Sequence, residues 1–199
     1  MVRRGSVTST MDVAAELAVA GAPAGTVVVA TEQTAGRGRL GRVWTAPPGS
    51  CLLFTALLRP PLKSIQSPEL ARRVAERVSD AVADVTDVDP RVKDPNDVML
   101  RGRKLAGVLL QTSVRGQTLE YLLVGVGLNV NVPAEELPLP TATSLLAATG
   151  HPHDLEALLQ AILRRFEAMP DLLPECAPGR PGAGRSNRSR RSTGIPGDS

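Results

Sequence analysis

The hydrophobic pattern of the chain consists of continuous apolar runs, typical of buried strands, and apolar stripes at helical spacing. Runs rich in Val, Leu and Thr predict strands, and turn residues such as Pro60-Pro61 and Arg115-Gly116 separate them. The predicted strands are residues 26–31, 52–58, 92–93, 98–100, 104–112 and 118–124. The last two flank Arg115-Gly116, so we expect them to pair as a hairpin.

Three stretches with apolar residues at helical spacing follow residues that favour a helix start. Ser9 precedes a short helix, Ser67-Pro68-Glu69 precedes a longer one that ends near Val85, and Asp154 precedes one over residues 155–166. Strands and helices do not alternate regularly along the chain. We therefore predict an α/β domain of the α+β type, with a mixed sheet and packed helices, rather than a doubly wound parallel sheet.

The C-terminal segment differs in composition from the rest of the chain. Beyond Cys176 it is dominated by Arg, Gly, Pro and Ser, and such a segment buries too little apolar surface to offset the entropy of ordering. We predict one folded domain over residues 1–170 and a disordered tail over 171–199. Residues 176–199 carry a charge of +4, whereas the whole chain carries +3. The basic charge is therefore only weak support for a nucleic-acid partner of the folded part.

Cysteine, histidine and aromatic content argue against several classes of site. Cys51 and Cys176 lie far apart, and with His151 and His153 they do not form a zinc-binding pattern. No disulfide framework is implied, and a reducing cytoplasm is expected. Aromatic residues make up 2% of the chain, too few for a base-stacking platform. No signal peptide and no run of ~20 apolar residues is present, so no membrane association is expected.

A loop that combines arginine and glycine is the strongest candidate for chemistry. Residues 36–42 alternate the two residue types, and Trp44 follows. Glycine allows close approach of the main chain to a ligand, and arginine presents a fork of donors to phosphate or carboxylate. The spacing matches a dinucleotide-binding pattern, but Pro47-Pro48-Gly49 prevents the helix that this fingerprint requires. We interpret the segment as a mobile cationic cover; the alternative is an ordinary solvated loop.

Four further motifs contain residues that could contact a ligand, and each also has an ordinary structural interpretation. Ser9-Thr10 caps a helix or also faces a ligand. Lys93-Asp94-Pro95-Asn96-Asp97 offers oxygen ligands to a nucleotide or its magnesium, or is a simple turn. Lys104 to Gly107 makes room for a ligand in a strand, or is a charged turn that enters a core strand. Gly125 to Asn129 leaves a slot, or marks a bulge at a strand end.

Taken in chain order, these motifs closely resemble the catalytic domain of biotin–protein ligases, that is, biotin–[acetyl-CoA-carboxylase] ligases. The five motifs are Ser9 to Asp12, Glu32 to Trp44, Lys93 to Val98, Arg103 to Leu109 and Gly125 to Asn131. The resemblance covers roughly residues 6–168. It implies a mixed-sheet fold related to class II aminoacyl-tRNA synthetases and lipoate ligases.

The resemblance also implies a cytoplasmic enzyme with a two-step reaction. The carboxylate of biotin would attack the α-phosphate of ATP, with Mg²⁺ bound to ATP, and give biotinyl-5′-AMP and pyrophosphate. A lysine of a biotin carboxyl carrier protein, from acetyl-CoA carboxylase or a related carboxylase, would then attack the acyl-adenylate. A monomer or homodimer is expected. We expect no DNA-binding module and no repressor role.

Matching motif positions imply a role for each candidate residue. Arg37, Arg39 and Lys104 would be catalytic, because they would neutralise two anions and the charge on the reacting phosphorus. The implied biotin-binding residues are Ser9, Thr10, Gln33, Gly36, Arg37, Gly38, Arg39, Lys104, Gly107, Gly125 and Gly127. The implied ATP-binding residues are Arg39, Arg42, Trp44, Lys93, Asn96, Asp97 and Asn129. No protein ligand of a metal is assigned with certainty.

The chain departs from the family pattern in three ways. Asp94 stands where the motif has tryptophan; an acid beside Lys93 weakens the positive field there, so we expect poorer affinity for ATP or biotin. The chain begins almost at Ser9, so a preceding strand is expected to be short or absent. The family continues into a small C-terminal SH3-like barrel that we expect to be missing here, through truncation or a frameshift after roughly residue 170.

Two alternatives to an active biotin ligase follow from these observations. One is a lipoate or octanoyl ligase of the same fold, which the arginine–glycine loop disfavours. The other is a degraded relic that binds biotin without full ligase activity, which the missing barrel and Asp94 favour.

Overall fold

The computed structural model of the chain describes residues 1–173. Nine strands occur in this range: β1 (Val2–Val7), β2 (Thr26–Gln33), β3 (Gly36–Arg37), β4 (Val43–Trp44), β5 (Cys51–Leu58), β6 (Arg91–Lys93), β7 (Asp97–Leu100), β8 (Arg103–Arg115) and β9 (Thr118–Asn129). The described helices are α1 (Thr10–Val19), α2 (Leu70–Val85), α3 (Leu145–Thr149) and α4 (Leu155–Glu167).

Seven of the strands form one mixed sheet in the order β1-β2-β5-β9-β8-β7-β6. β1 runs parallel to β2, and every other neighbouring pair is antiparallel. β8 and β9 form the hairpin expected around Arg115-Gly116. β3 and β4 pair separately. The prediction of a mixed sheet with packed helices is therefore confirmed.

Helices cover both faces of the sheet. α2 and α4 pack on one face, where Phe54 lies 6.3 Å from Phe166 between ring centroids. α1 covers part of the other face, where Met11 and Ala14 pack with Leu57 and Leu123. The interior strand β5 is buried along its whole length, because helices cover most of both faces and a small cluster around Trp44 and Val132 covers the rest. This burial explains the unbroken apolar run that predicted the strand.

The alternation of side chains along β9 positions a site on the α1 face. Residues 122, 124, 126 and 128 belong to the core under α2 and α4, whereas Leu123 faces α1. Successive side chains of a strand point to opposite faces, so Gly125, Gly127 and Asn129 share the face of Leu123. The two glycines leave that face without side chains just beyond the N-terminus of α1.

Two predicted helix caps are confirmed and one helix start is shifted. Ser9 accepts a hydrogen bond from the Met11 N–H, and Asp154 accepts one from the Glu156 N–H. The Ser67 side chain accepts a bond from the Glu69 N–H, yet α2 begins only at Leu70. The first turn after Ser67 is thus a separate turn, which the hydrophobic spacing could not reveal.

The N-terminal strand differs from its prediction. A strand was expected to be short or absent before Ser9, and β1 is present and spans six residues at the sheet edge. Its four central residues, including Arg3 and Arg4, are exposed. A polar edge strand carries no apolar alternation, and the sequence pattern therefore gave no signal for it.

Packing continues slightly past the predicted domain boundary at residue 170. Leu172 is buried in the core under α2 and α4, and Asp171 forms an ion pair of 2.7 Å with Arg73. The predicted tail from residue 174 to 199 lies outside the described residues. No separate C-terminal barrel occurs within residues 1–173. Across these residues no helix combines the length and apolar character needed to cross a bilayer.

Candidate active site

A cavity of about 350 Å³ opens on the α1 face of the sheet. It lies between the N-terminus of α1, the β3–β4 hairpin and the turn before β7. The structure brings every residue predicted for the site except Gly36 to this one cavity. The predicted residues that line it are Ser9, Thr10, Gln33, Arg37, Gly38, Arg39, Arg42, Trp44, Lys93, Asn96, Asp97, Lys104, Gly107, Gly125, Gly127 and Asn129. Gly36 instead lines a second hollow, between the hairpin and residues 109–111 of β8.

Glycines form the floor of the cavity. Gly107 and Gly127 are partners across β8 and β9. A Cβ at position 127 would lie 2.7 Å from Cε2 of Trp44, and one at 125 would lie 3.0 Å from Sδ of Met11. The missing side chains therefore make room for the indole and the thioether. The glycines line the cavity, Trp44 and Met11 pack against two of them, and the predicted role of these glycines in a ligand slot remains a prediction.

A buried hydroxyl and amide cluster forms one end of the cavity. Thr10 contacts Oε1 of Gln33 through its main-chain N–H, at 2.8 Å, and its hydroxyl, at 3.0 Å. The same hydroxyl lies 2.9 Å from that of Thr55 on β5. Ser9 caps α1, which was one interpretation of the Ser9-Thr10 motif, and it also lines the cavity. This end is polar and uncharged, and so suits a neutral hydrogen-bonding group.

Cations of the arginine–glycine loop lie over the cavity and reach two different sides of it. Arg37 forms an ion pair with Asp12 of α1. Arg39 donates from Nη1 to Oδ1 of Asn96 at 3.1 Å. Arg42 donates from Nε to the main-chain oxygen of Arg39 at 3.2 Å. The loop predicted to be mobile is thus folded as a short hairpin that reaches both α1 and the turn before β7.

The turn before β7 places polar groups around Lys104. Nζ of Lys104 lies 2.7 Å from Oδ1 of Asp97 and 5.7 Å from the centre of the Trp44 ring. Asn96 donates from Nδ2 to the oxygen of Val108 at 2.6 Å, so its amide joins β8 to the loop. Lys93 also lines the cavity. Lys104 therefore combines an ion pair with a cation–π contact at the cavity wall.

Asp94 does not line the cavity. Its carboxylate accepts bonds of 2.8 and 3.0 Å from Nη1 of Arg72 on α2, which also pairs with Glu76 at 2.9 Å. Hydrogen bonds from the guanidinium to Glu76 and Asp94 raise the pKa of Arg72 above its usual value. Arg72, which it shares with Glu76, therefore compensates part of the charge of Asp94, and Asp94 weakens the field beside Lys93 less than the sequence suggested.

Asn129 is held by protein groups on both sides of its amide. Nδ2 donates to the oxygen of Thr143 at 2.9 Å, and Oδ1 accepts from the thiol of Cys51 at 3.4 Å. Burial raises the pKa of Cys51 from 9.0 to about 11, so the thiol stays protonated. In this arrangement Asn129 positions the segment around Thr143. Its predicted contact with a metal or phosphates remains a prediction.

Sequence reasoning missed the wall formed by residues 138–142. This irregular segment lies along the start of β8, where the Lys104 N–H donates to the oxygen of Thr141 at 2.7 Å. The Thr143 N–H in turn donates to the oxygen of Lys104 at 2.8 Å. An irregular segment has no periodicity, so no pattern indicated it. Met11 was also missed, although it directly follows the Ser9-Thr10 motif that pointed to the site.

The residues described contain no cluster of three or more His, Cys, Asp or Glu side chains that would hold a metal ion. Asp97, an acid of the cavity lining, is paired with Lys104.

Comparisons with known proteins agree with this geometry. A model of the biotin/lipoate A/B protein ligase family matches residues 4–129. The bifunctional ligase/repressor BirA of Bacillus subtilis is 35% identical over 164 residues, which cover 81% of this chain and 50% of that protein. The biotin–[acetyl-CoA-carboxylase] ligase of Mycobacterium tuberculosis is 37% identical over 150 residues, which cover 72% and 53%.

A solved structure shows the same fold. The biotin protein ligase of Aquifex aeolicus, in complex with biotin and ATP, superposes with a TM-score of 0.71 at 33% identity. The match covers 84% of this chain and 68% of that one. The chain spans about half the length of the curated relatives it matches. Because the family model matches well over half of the 199 residues, the chain belongs to the biotin/lipoate A/B protein ligase family.

Proposed function

We propose that this chain is an ATP-dependent biotin ligase. It activates biotin as biotinyl-5′-AMP and transfers the biotinyl group to a lysine of a biotin carboxyl carrier protein. The relatives are named as biotin–protein ligases, and one of them has a structure with biotin and ATP. A carboxylase carrier as partner and a cytoplasmic location belong to the same proposal.

One observation carries the proposal. A single cavity has a neutral hydrogen-bonding end at Thr10 and Gln33 and a cationic part at Arg39 and Lys104. Biotin has the matching polarity, because its ureido group is neutral and its valeryl chain ends in a carboxylate. The cavity of about 350 Å³ leaves room for the bicyclic ring. Trp44 adds an indole Nε1 donor that is buried and without a protein partner among the described residues, so a ligand acceptor would satisfy it.

The cations suit the adenylation step. A carboxylate oxygen of biotin would attack the α-phosphorus of ATP, the bond to the bridging oxygen would break, and pyrophosphate would leave. Two anions must approach each other for this bond to form. Arg39 and Lys104 would neutralise both, and they would stabilise the added negative charge on the phosphorus. Mg²⁺ carried by the ATP phosphates would add charge stabilisation.

The arginine–glycine loop suits the transfer step. The mixed anhydride hydrolyses in water, and a loop folded over the cavity excludes water until a carrier lysine arrives. The lysine amine would attack the acyl carbon, form an amide and release AMP. The uncharged end at Thr10 would keep the bicyclic ring in place meanwhile.

Biotin-dependent ATP–pyrophosphate exchange, followed by transfer of labelled biotin to a carrier domain, tests the proposal. Both reactions are expected with the 199-residue chain. Exchange without transfer would support the activation of biotin by this chain and contradict the transfer of biotin to the carrier. Biotin binding without exchange would support the alternative of a degraded relic.

A parallel assay with lipoate and octanoate separates the ligase classes. These acids lack a ureido group for Thr10 and Gln33, so no exchange above background is expected. Exchange that depends on lipoate or octanoate and not on biotin would overturn the assignment in favour of a lipoate or octanoyl ligase.

A further inference from the structure

An acid to which the sequence analysis assigned no role contacts the arginine–glycine loop. Asp12 lies in the first turn of α1, where the helix dipole favours a negative charge. Its Oδ1 pairs with the guanidinium of Arg37, and its Oδ2 accepts a bond of 3.3 Å from the Thr8 hydroxyl. Both oxygens of the carboxylate are therefore engaged, and the carboxylate is oriented towards the loop.

The loop over the cavity, residues 36–44, is held by few apolar contacts. Leu40 at its tip is 89% exposed and adopts a left-handed conformation with φ of 56°. Val43 is 70% exposed. Within the loop, Gly36 pairs with Trp44, and Arg37 pairs with Val43. Of its apolar side chains only Trp44 packs inward, so polar contacts decide how the rest of the loop lies.

Two polar contacts join the loop to the body of the protein, one at each end of the cavity. Arg37 reaches Asp12 on α1, beside the Thr10 end. Arg39 reaches Asn96 in the turn before β7, which is itself fixed to β8. The charges differ, because Asp12 neutralises Arg37 whereas the amide of Asn96 leaves the charge of Arg39 uncompensated.

We propose that Asp12 is a positioning residue of the ligase. It orients Arg37 and favours the arrangement in which the loop lies across the cavity. Arg39 and Arg42, whose protein contacts are neutral, then remain the loop cations for the anionic ligand. This inference rests on the proposed function. A loop that adopts this arrangement more often without ligand loses less conformational entropy when it closes over biotin or the adenylate.

Trypsin tests the positioning directly, because it cleaves after arginine and the loop carries Arg37, Arg39 and Arg42. Cleavage needs the loop to open, so its rate follows the open population when opening is fast. Asp12→Asn removes the charge and keeps the shape. We expect it to speed cleavage after these arginines about three- to fivefold without ligand, since a partly exposed ion pair has a modest effect. Asp12→Glu should restore slow cleavage.

Glu16→Gln is the matched control. Glu16 is an exposed acid one turn further along α1, so its replacement changes the net charge equally without touching the loop. We expect wild-type cleavage for this variant. Equal rates for Asp12→Asn and the wild type, or equal acceleration by Glu16→Gln, would overturn the proposal. The trypsin assay uses neither biotin nor ATP, so its outcome is independent of whether the ligase function itself is correct.

Exchange kinetics supply the second readout. Asp12→Asn should raise the KM for biotin about three- to fivefold, with a smaller change in kcat, and Asp12→Glu should reverse the effect. A fall in kcat alone would contradict a positioning role.

If Asp12→Asn does not fold, the salt dependence of cleavage in the wild type still provides the test. Cleavage in its loop must accelerate between about 0.05 M and about 0.5 M salt, relative to a peptide substrate, because salt screens the pair. A constant ratio would overturn the proposal.

Discussion

The indole of Trp44 lies directly against Gly127, so closely that a Cβ at position 127 would be 2.7 Å from Cε2 of the ring. No side chain other than hydrogen fits between this ring and β9. The contact places the indole over the strand and fixes one wall of the cavity. It also joins the base of the arginine–glycine loop to the sheet, because Trp44 ends β4.

Gly127→Ala is therefore expected to displace the ring and impair the ligase. A shift of about 1 Å in a positioning group can reduce activity about 100-fold, and we expect a loss of that order in biotin-dependent exchange. Gly125→Ala meets only the flexible Met11 side chain, at 3.0 Å, and should cost far less. Exchange rates of both variants, with circular dichroism to confirm folding, test this difference. Equal losses of exchange activity in the two variants would contradict a specific role for the contact between the indole and position 127.

Lys104 is expected to be needed for adenylation and not replaceable by arginine. Its Nζ lies between Asp97, at 2.7 Å, and the Trp44 ring, a space fitted to an ammonium group rather than a planar fork. Lys104→Ala should lower the exchange rate about 100-fold or more, as loss of a transition-state contact does. Lys104→Arg should recover little of it. Full activity in Lys104→Arg would mean that only the charge, and not its placement, is required.

Asp94 is expected to matter less for ATP binding than its sequence position suggests. Because Arg72 compensates the carboxylate outside the cavity, Asp94→Asn should change the KM for ATP by less than about fivefold. Asp94→Trp restores the ring of the family motif and tests the separate idea that packing at this turn improves affinity. Steady-state exchange at varied ATP concentration measures both. A large improvement in Asp94→Asn would show that the local field does control nucleotide affinity.

The thiol of Cys51 is expected to be unreactive in the native protein. Burial raises its pKa to about 11, so very little thiolate exists at pH 8. Alkylation by iodoacetamide, followed by peptide mapping at Cys51, should be slow in buffer and fast in denaturant. The native state holds the proton between pH 9.0 and about 11, whereas the unfolded state releases it. The contribution of this group to stability is therefore present below pH 9 and is lost as the pH rises towards 11. Rapid labelling at pH 8 would contradict the burial.

Much of the fold could be predicted from sequence because its core elements are strongly patterned. β5 and β2 show continuous apolar runs, and α2 and α4 show apolar stripes. β1 could not be predicted, since a polar edge strand leaves no periodic trace. α3, with five residues, is too short for its spacing to register.

The sequence predicted site residues correctly as cavity lining where the combination of residue types is unusual. Arginines alternating with glycines, and glycines alternating in a strand, predicted residues that do meet in one cavity. The contact of Asp12 with the loop and the wall formed by residues 138–142 could not be predicted, because an acid in a first helical turn and an irregular segment are common features of any chain. Their relevance comes from tertiary contacts with Arg37 and Lys104 alone.

The most direct test of the central claim is the product of the first half-reaction. The chain is incubated with ATP, Mg²⁺ and biotin, without a carrier protein, and the bound nucleotide is analysed by mass spectrometry after denaturation. Our account predicts biotinyl-5′-AMP in near-stoichiometric amount with the protein, and its loss in Lys104→Ala. The absence of any biotinyl-5′-AMP from folded wild-type protein that binds both biotin and ATP would contradict the account.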